Sequence, residues 1–206
     1  DGLVHISKDG GVNWQNISTT FPKDLWVSRV VASTHKNERV YVTLNGYRWD
    51  DFKPYVYFSD DYGQTWTSIA PKLETLSVNV LVEDNVNPNI LYLGSDNGVY
   101  ISFDQGKNWQ TFNNGMPPVA VHDMVIQTDA KDLVVGTHGR SIYKVNLKSL
   151  QQLNEESLAL DLKIFSVDNL AHSKFWGSTW SKWLPANEPK IDVDYYVKNQ
   201  GEVIIQ

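Results

Sequence analysis

Three short turns of this sequence combine acids with a tryptophan at a fixed spacing. They read SKDGGVNW, SDDYGQTW and SFDQGKNW, and they begin at Ser7, Ser59 and Ser102. A carboxylate beside a hydroxyl and a glycine could hold a metal ion, serve in a catalytic acid pair or only close a turn. Catalysis would need only the Asp, whereas a turn uses the whole Ser-x-Asp-x-Gly-x-x-Trp skeleton. The recurrence of all four residues therefore favours a structural repeat.

Each skeleton residue has a physical role in a tight turn. The Asp carboxylate can accept backbone N–H groups, and the Gly supplies a positive φ. The Trp is predicted to pack back on its own sheet, where it adds buried area. The predicted structural residues are Ser7, Asp9, Gly11, Trp14, Ser59, Asp61, Gly63, Trp66, Ser102, Asp104, Gly106 and Trp109.

The remaining polar side chains form no recognisable catalytic set. The five histidines show no i, i+4 pair and no nearby acids at metal-ligand spacing, so no metal site is predicted. The acid pairs at 50–51 and 60–61 are sequence neighbours, unlike the facing carboxylates of a glycosidase. A Gly-rich phosphate loop and a serine nucleophile elbow are both missing. We therefore predict no catalytic residue and no cofactor.

Short β-strands recur around the acidic turns and must position them. Val30, Leu81 and Met124 occupy equivalent places in the strands VSRVVA, VNVLVE and VHDMVI, 51 and 43 residues apart. This period is close to that of a four-stranded propeller blade. Strands A to D follow one another in each unit, and the acidic turn joins C to D. The sequence therefore predicts an all-β fold, a partial β-propeller of four-stranded blades.

The units divide the chain into three predicted parts. Residues 1–147 form the partial propeller, with a half blade at 1–20 and blades at 21–70, 71–114 and 115–147. The last blade has strands A to C but no acidic turn. A half ring would leave unpaired edges, so we expect the chain to be the C-terminal part of a larger protein. The missing N-terminal part of that protein is then a predicted partner.

The tail changes character after the propeller. Residues 148–190 are predicted to hold a closing helix at 148–157, a strand at 158–167 and a Trp-rich linker. The strand could be the outer strand of the last blade or the first step out of the propeller. Residues 191–206 predict a hairpin around 199–201, the start of a β-sandwich-like module.

Composition excludes several classes of partner. The net charge is −6 and the basic residues are not clustered, so no nucleic acid partner is expected. No apolar stretch is long enough for a membrane span. The chain contains no cysteine, which excludes disulfides and thiolate zinc sites.

One face of the predicted disc collects residues suited to binding. Because strand direction alternates, the B–C and D–A loops share this face, and the acidic turns lie on the opposite side. The longest B–C connection, 44–54, is predicted to be an inserted surface loop. Its Trp49 could either contact a ligand or fold down to seal a joint between blades. The candidate binding residues are Tyr47, Arg48, Trp49, Asp96, His138 and Arg140.

His138 and Arg140 lie in the string THGRS, which has two possible interpretations. The two side chains could act on an anionic group of a ligand. Alternatively, the string only forms a tight B–C turn through its glycines, and Arg140 pairs with a neighbouring blade.

The Ser-x-Asp-x-Gly-x-x-Trp skeleton resembles the Asp-box, or bacterial neuraminidase (BNR) repeat, of sialidases, xyloglucanases and sortilin-type propellers. The segment DLVVGTHGRSIYKVNL at 132–147 is similar to the closing blade of large secreted sortilin-like repeat proteins common in Bacteroidetes. This resemblance implies a non-catalytic interaction or scaffold module that binds an envelope protein or a glycan. It also implies a secreted or cell-envelope location, in the periplasm or at the outer-membrane surface. The alternative is part of a xyloglucanase- or sialidase-like glycoside hydrolase whose catalytic acids lie mostly outside this chain.

Overall fold

Antiparallel sheets of short strands make up most of the chain. The computed structural model describes residues 2–72, 75–167, 169–199, 201–202 and 204. The strands are β1 (His5–Ile6), β2 (Gln15–Asn16), β3 (Trp26–Ala32), β4 (Val40–Gly46), β5 (Asp51–Ser59), β6 (Thr67–Ser68), β7 (Val78–Glu83), β8 (Leu91–Ser95), β9 (Gly98–Ser102), β10 (Gln110–Thr111), β11 (Val121–Gln127), β12 (Asp132–Thr137), β13 (Ile142–Asn146), β14 (Leu162–Ile164) and β15 (Tyr195–Val197). The chain divides into two units, 1–151 and 152–206.

The first unit is a series of blades. Its sheets have the orders β1-β2, β3-β4-β5-β6, β7-β8-β9-β10 and β11-β12-β13, and all neighbours are antiparallel. This is the predicted chain order of strands A to D, with each acidic turn between C and D. The prediction of an all-β fold with four-stranded blades is therefore confirmed.

Three apolar cores lie between successive sheets. The first joins Val4 and Ile17 of the β1-β2 hairpin to Val42 of β4. Corresponding cores join the β3–β6 sheet to the β7–β10 sheet, and the latter to the β11–β13 sheet. Every residue of β8 is buried, because this strand is covered on both sides. Burial between sheets explains why the B strands have nearly continuous apolar sequences.

Each strand A contains a bulge near its start. The pairing register shifts between Val27 and Arg29, between Val78 and Val80, and between Val121 and Asp123. The extra residues are Ser28, Asn79 and His122. A bulge bends a strand and redirects its side chains. Three aligned bulges therefore place a polar residue near the start of each strand A.

The predicted surface loop at 44–54 is wrong. Strand β4 continues to Gly46 and β5 begins at Asp51, with a 3-10 turn (Tyr47–Trp49) between them. Gly46 pairs with Asp51, and Leu44 pairs with Tyr55 across one irregularity. Cross-strand pairing satisfies backbone groups that a loop would leave to water. The insertion therefore lengthens a hairpin.

The second unit contains a short helix, α1 (Glu155–Ala159), and a two-stranded sheet, β14-β15. The predicted helix at 148–157 is split into a 3-10 turn (Leu150–Gln152) and α1. The break occurs because the Asn154 side chain accepts the Ser157 N–H at 2.8 Å and starts a new helix.

The predicted strand at 158–167 is shorter than expected, since α1 continues to Ala159 and β14 covers only 162–164. Its partner is β15, so β14 is not the outer strand of the last blade. Strand β15 lies where the first arm of the hairpin predicted around 199–201 was expected, but it pairs with β14, and most of the second arm lies outside the described residues. Among the residues that the structure describes, no helix has the length and apolarity to span a membrane.

Candidate functional site

The three acidic turns are held by one hydrogen-bond pattern, seen most simply at Ser59. The Ser59 hydroxyl donates to Asp61 Oδ1 at 2.7 Å and accepts the Gly63 N–H at 2.8 Å. Asp61 Oδ1 also accepts the Thr65 N–H at 2.8 Å, while Oδ2 accepts the Thr65 hydroxyl at 2.6 Å. The carboxylate is therefore occupied by its own turn.

The other two turns repeat this pattern with one change. In place of the Thr hydroxyl, Asn13 and Asn108 donate a side-chain amide to Asp9 and Asp104, at 2.6 and 2.7 Å. The Asn backbone N–H groups donate to the same carboxylates at 2.9 and 2.8 Å. A donor side chain four residues after the Asp is thus a further part of the repeat. The four-residue skeleton alone did not reveal it.

Hydrogen bonds to the ionised form hold the pKa of these acids low. The Asn13 backbone N–H lowers the pKa of Asp9 to about 2, and the Thr65 side chain lowers that of Asp61 to about 2. Burial raises the pKa of Asp104, but hydrogen bonds from Asn108, Ser102 and Lys107 together outweigh it, and the net shift is downward. A carboxyl group with so low a pKa is a poor general acid near neutral pH.

The box tryptophans join neighbouring blades. The indole N–H of Trp66 donates to the Ile17 carbonyl at 2.8 Å, and that of Trp109 donates to the Ile69 carbonyl at 2.7 Å. Both acceptors belong to the preceding blade, while both rings pack against cores that also contain residues of their own blade, so each of these Trp residues bridges two blades. Trp14 instead donates to Gly11 in its own turn, at 3.0 Å, and is 64% exposed.

On the opposite face, the turn after β4 forms an aromatic cluster on Trp26. The Arg48 guanidinium carbon lies 3.9 Å from the centroid of the Trp26 ring. The rings of Tyr47 and Trp49 stand edge-on to Trp26, at 6.3 and 6.0 Å between centroids. Arg48 Nε donates to the Tyr47 hydroxyl at 3.2 Å. We call Trp26, Tyr47, Arg48 and Trp49 the Trp26 cluster.

The position of Trp49 decides between two interpretations of this residue. Its ring contacts Trp26 of its own sheet, and its side chain is 52% exposed. It therefore does not seal a joint between blades. Trp26 was missed by the sequence analysis, because a Trp at the start of a strand has the same signature as a core aromatic.

Asp96 belongs to a polar ladder that crosses the blade joints. It accepts the Asn79 side-chain amide at 2.9 Å, and Asn79 also donates to the Val121 carbonyl at 3.1 Å. The amide of Asn45 donates to Asn79 Oδ1 at 2.8 Å. Asn45 and Asn79 were missed, although Asn within a strand is unusual and was a usable signal.

His138 and Arg140 lie on the last blade. The His138 ring stacks on His122 at 5.1 Å between centroids and 28° between planes. Arg140 is exposed in the turn after β12, where Gly139 has a φ of +70°. Arg29 of β3 forms an ion pair with Asp123 of β11, the strand A two blades further along the chain. The six predicted residues thus form three groups on this face: three lie in the Trp26 cluster, Asp96 lies in the polar ladder, and two lie on the last blade.

In the described part of the chain, no group of three or more His, Asp or Glu side chains is close enough to hold a metal ion.

Comparison with known proteins identifies the repeat. The Sortilin-Vps10 family profile, described as sortilin, neurotensin receptor 3, matches residues 54–184. No curated protein sequence matches the chain.

Solved structures of similar fold are β-propellers. An ancestral GH74 enzyme matches with a TM-score of 0.56 at 18% identity, over 71% of this chain and 22% of its own. YCF48 bound to D1 peptide matches with a TM-score of 0.52 at 15% identity, over 70% of this chain and 44% of its own. The chain therefore spans less than half the length of either protein. At these identities the likeness shows the fold, a partial β-propeller.

Proposed function

This chain belongs to the Sortilin-Vps10 family of Asp-box propellers, and on that premise we propose that it is a non-catalytic interaction module. In this proposal it binds a protein segment or a glycan through the face that carries the Trp26 cluster. The module belongs to a larger secreted or cell-envelope protein. The blades of that protein's remaining part are its second partner.

Exposure of the Trp26 cluster is the observation that carries the proposal. Tyr47 is 44% exposed and Trp49 is 52% exposed. Aromatic and arginine side chains supply most of the binding energy at protein interfaces. Stacking on Trp26 also holds the guanidinium of Arg48 in place, so less side-chain freedom is lost on binding.

The arrangement favours a ligand with a negatively charged group. Arg48 covers one face of the Trp26 ring, so that face is closed to a stacked sugar. The edge of the guanidinium remains, and a planar guanidinium can donate two parallel hydrogen bonds to a carboxylate. An acidic protein segment or an acidic glycan would satisfy these donors, with Tyr47 and Trp49 packing beside it.

A glycoside hydrolase is the alternative, since GH74 enzymes share the fold. Three acids on this face are committed to other contacts. Asp51 accepts the Tyr55 hydroxyl at 2.7 Å, Asp96 accepts the Asn79 amide, and Asp123 pairs with Arg29. The non-catalytic function is therefore preferred for this chain, and hydrolysis of polysaccharides would be the finding that reverses this preference.

The test compares variants on arrays of acidic and neutral peptides and glycans. We expect Arg48→Ala and Trp49→Ala each to weaken binding about tenfold or more, as for interface hot spots, at an unchanged melting temperature. Trp14→Ala removes another exposed Trp from the opposite face and serves as the control. Binding that survives both cluster substitutions would contradict the proposal. Release of reducing sugars from xyloglucan or sialosides would instead support the hydrolase.

A further inference from the structure

The Trp-rich linker in the second unit contains the most exposed aromatic side chains of the described residues. Trp180 is 86% exposed and Trp183 is 92% exposed, and Leu184 is 56% exposed. Single exposed apolar residues are common on protein surfaces and need no explanation. Three within five residues need one, because keeping so much apolar area in water is unfavourable.

Backbone hydrogen bonds hold these side chains in a closed loop. The Gly177 N–H donates to the Asn187 carbonyl at 2.8 Å, and the Asn187 N–H donates to the Ser178 carbonyl at 2.8 Å. These two bonds join the ends of the segment 179–186, which we call the Trp loop. The loop therefore presents its tryptophans from a defined backbone and not from an extended chain.

A turn lies between the two tryptophans of the Trp loop. The Leu184 N–H donates to the Ser181 carbonyl at 3.1 Å, and the Trp183 N–H donates to the Ser181 hydroxyl at 3.2 Å. Trp180 immediately precedes this turn and Trp183 lies within it. The turn therefore places both tryptophans at the same end of the loop, with part of the backbone already hydrogen-bonded.

The Trp loop and its flanks are positively charged, although the chain as a whole is acidic. Residues 173–187 contain two lysines and no Asp or Glu, a formal charge of +2, whereas the chain carries −6. Lys182 lies between the two tryptophans and is exposed. Lys174 is also exposed, with Nζ 5.3 Å from the centroid of the Phe175 ring. A surface that matches this segment must accept aromatic rings and carry negative charge.

An anionic lipid bilayer has both properties. Tryptophan concentrates at the boundary between headgroups and acyl chains, where the ring is buried and the indole N–H stays near water. Lysine is attracted to negatively charged headgroups. A standard protein interface buries about 800 Å² on each partner, whereas two tryptophans supply roughly 300–500 Å² together. A bilayer needs no surface of matching shape, so this smaller area is sufficient for reversible binding.

We propose that the Trp loop binds the surface of an anionic lipid bilayer. Trp180 and Trp183 enter the boundary between headgroups and acyl chains, and Leu184 adds apolar contact. Lys174 and Lys182 pair with negatively charged headgroups. The binding is reversible, since two rings and two charges do not amount to a permanent anchor. This site lies in the second unit and depends neither on the Trp26 cluster nor on the function proposed for it.

Flotation of the 206-residue chain with lipid vesicles tests the proposal. Only vesicle-bound protein rises in a density gradient, so association between copies of the chain is not counted as binding. We expect binding to vesicles of phosphatidylcholine with phosphatidylglycerol, and weaker binding to phosphatidylcholine alone. Added salt should weaken binding to the anionic vesicles, because it screens the attraction of the lysines. Absence of binding to the anionic vesicles would overturn the proposal.

Substitutions in the Trp loop separate the contribution of the rings from that of the charge. Trp180→Ala and Trp183→Ala should each weaken vesicle binding about tenfold or more, because each removes a buried ring. Lys182→Gln should weaken binding about fivefold, and only to the anionic vesicles. Trp14→Ala and Lys107→Gln remove an exposed Trp and an exposed Lys from the first unit, and these controls should bind like wild type. Unchanged binding after both loop tryptophans are replaced would refute the proposal.

Fluorescence quenching shows which side chains meet the lipid. Brominated phosphatidylcholine quenches tryptophans within the bilayer, so the wild-type chain should be quenched more than the variant that lacks Trp180 and Trp183. Equal quenching of the two proteins would assign the contact to other residues and overturn the proposal.

A second copy of the chain is the other possible occupant of the Trp loop. If the wild type does not float and the double substitution abolishes dimers in analytical ultracentrifugation, the loop joins two copies. That result would overturn the lipid proposal. Flotation and its salt dependence are measured on the wild-type chain, so they do not rely on the folding of any variant.

Discussion

At the scale of single residues, the Asp-box carboxylate acts as an acceptor that its turn keeps ionised. The three boxes differ outside the shared Ser-x-Asp-x-Gly-x-x-Trp skeleton, yet each places Asn or Thr four residues after the Asp. The shared requirement is a donor that reaches the outer carboxylate oxygen, since Asn and Thr have little else in common. An ionised, fully bonded carboxylate stabilises a turn and has no spare capacity for substrate chemistry.

Acid should weaken the boxes in a defined pH range. The pKa of Asp61 is about 2 in the folded chain, against about 3.9 for an unperturbed Asp. Because the pKa of Asp61 is lower in the folded than in the unfolded chain, its ionised carboxylate stabilises the fold. This contribution is complete above the unfolded-state pKa and disappears as the pH falls through the folded-state pKa. Between about pH 5 and about pH 2, wild type should therefore lose more unfolding free energy than Asp61→Asn. Urea unfolding across this range measures the difference, and parallel curves would contradict the role given to Asp61.

At the scale of elements, the box turn is part of the joint between blades. Gly63 has a φ of +81°, and a Cβ built there would lie 2.4 Å from Ile17 Cδ1 of the preceding blade. Gly106 has the same relation to Ile69. Gly11 has a φ of +96°, but its nearest contact would be Trp14 at an ordinary 3.7 Å. The repeat therefore uses glycine for conformation in every box and for close approach in two of them.

Substituting alanine for these glycines separates the requirement for a positive φ from the requirement for close approach between blades. Gly11→Ala and Gly63→Ala introduce similar strain from positive φ, but only Gly63→Ala also forces Ile17 to move. We expect Gly63→Ala to cost about 1–3 kcal/mol more unfolding free energy than Gly11→Ala, the usual range for overpacking. Chemical denaturation of both variants measures this. Equal losses would show that the box glycine is needed only for its backbone conformation.

The sequence predicted the strands and turns of the blades better than the contacts between blades, because strands and turns depend on residues that are close in the sequence. The alternation of apolar and polar residues in a strand and the residue types of a turn depend only on neighbours in the sequence. The order of strands A to D within each blade could therefore be predicted. The Trp66–Ile17 bond joins residues 49 apart in the sequence, and no local pattern announces it. The hairpin at 44–54 was mistaken for a loop because its Gly, Asn and Asp residues are typical of turns. For the candidate site, the exposed Tyr47–Trp49 turn was foreseen, whereas Trp26 and the Asn ladder required the folded chain.

At the scale of the whole molecule, equivalent residues of strand A differ in what covers them. Val31 and Val82 are partly buried against the core formed with the following blade. Val125 has the same place in β11 and is 60% exposed. Ile142 of the same sheet is 71% exposed. We propose that this surface packs against a further blade of the same larger protein, because its apolar residues repeat those at the blade joints.

Lysine substitutions at equivalent valines test this proposal. The isolated chain should self-associate as concentration rises, since an exposed apolar sheet face and open strand edges promote contact between copies. Val125→Lys should reduce association in analytical ultracentrifugation with little change in melting temperature, because no described blade covers that position. Val82→Lys is the matched control and should cost about 1–3 kcal/mol, as it places a charge in a joint between blades. A monomeric wild type, or a Val125→Lys variant as unstable as Val82→Lys, would show that the outer surface of β11 is already covered.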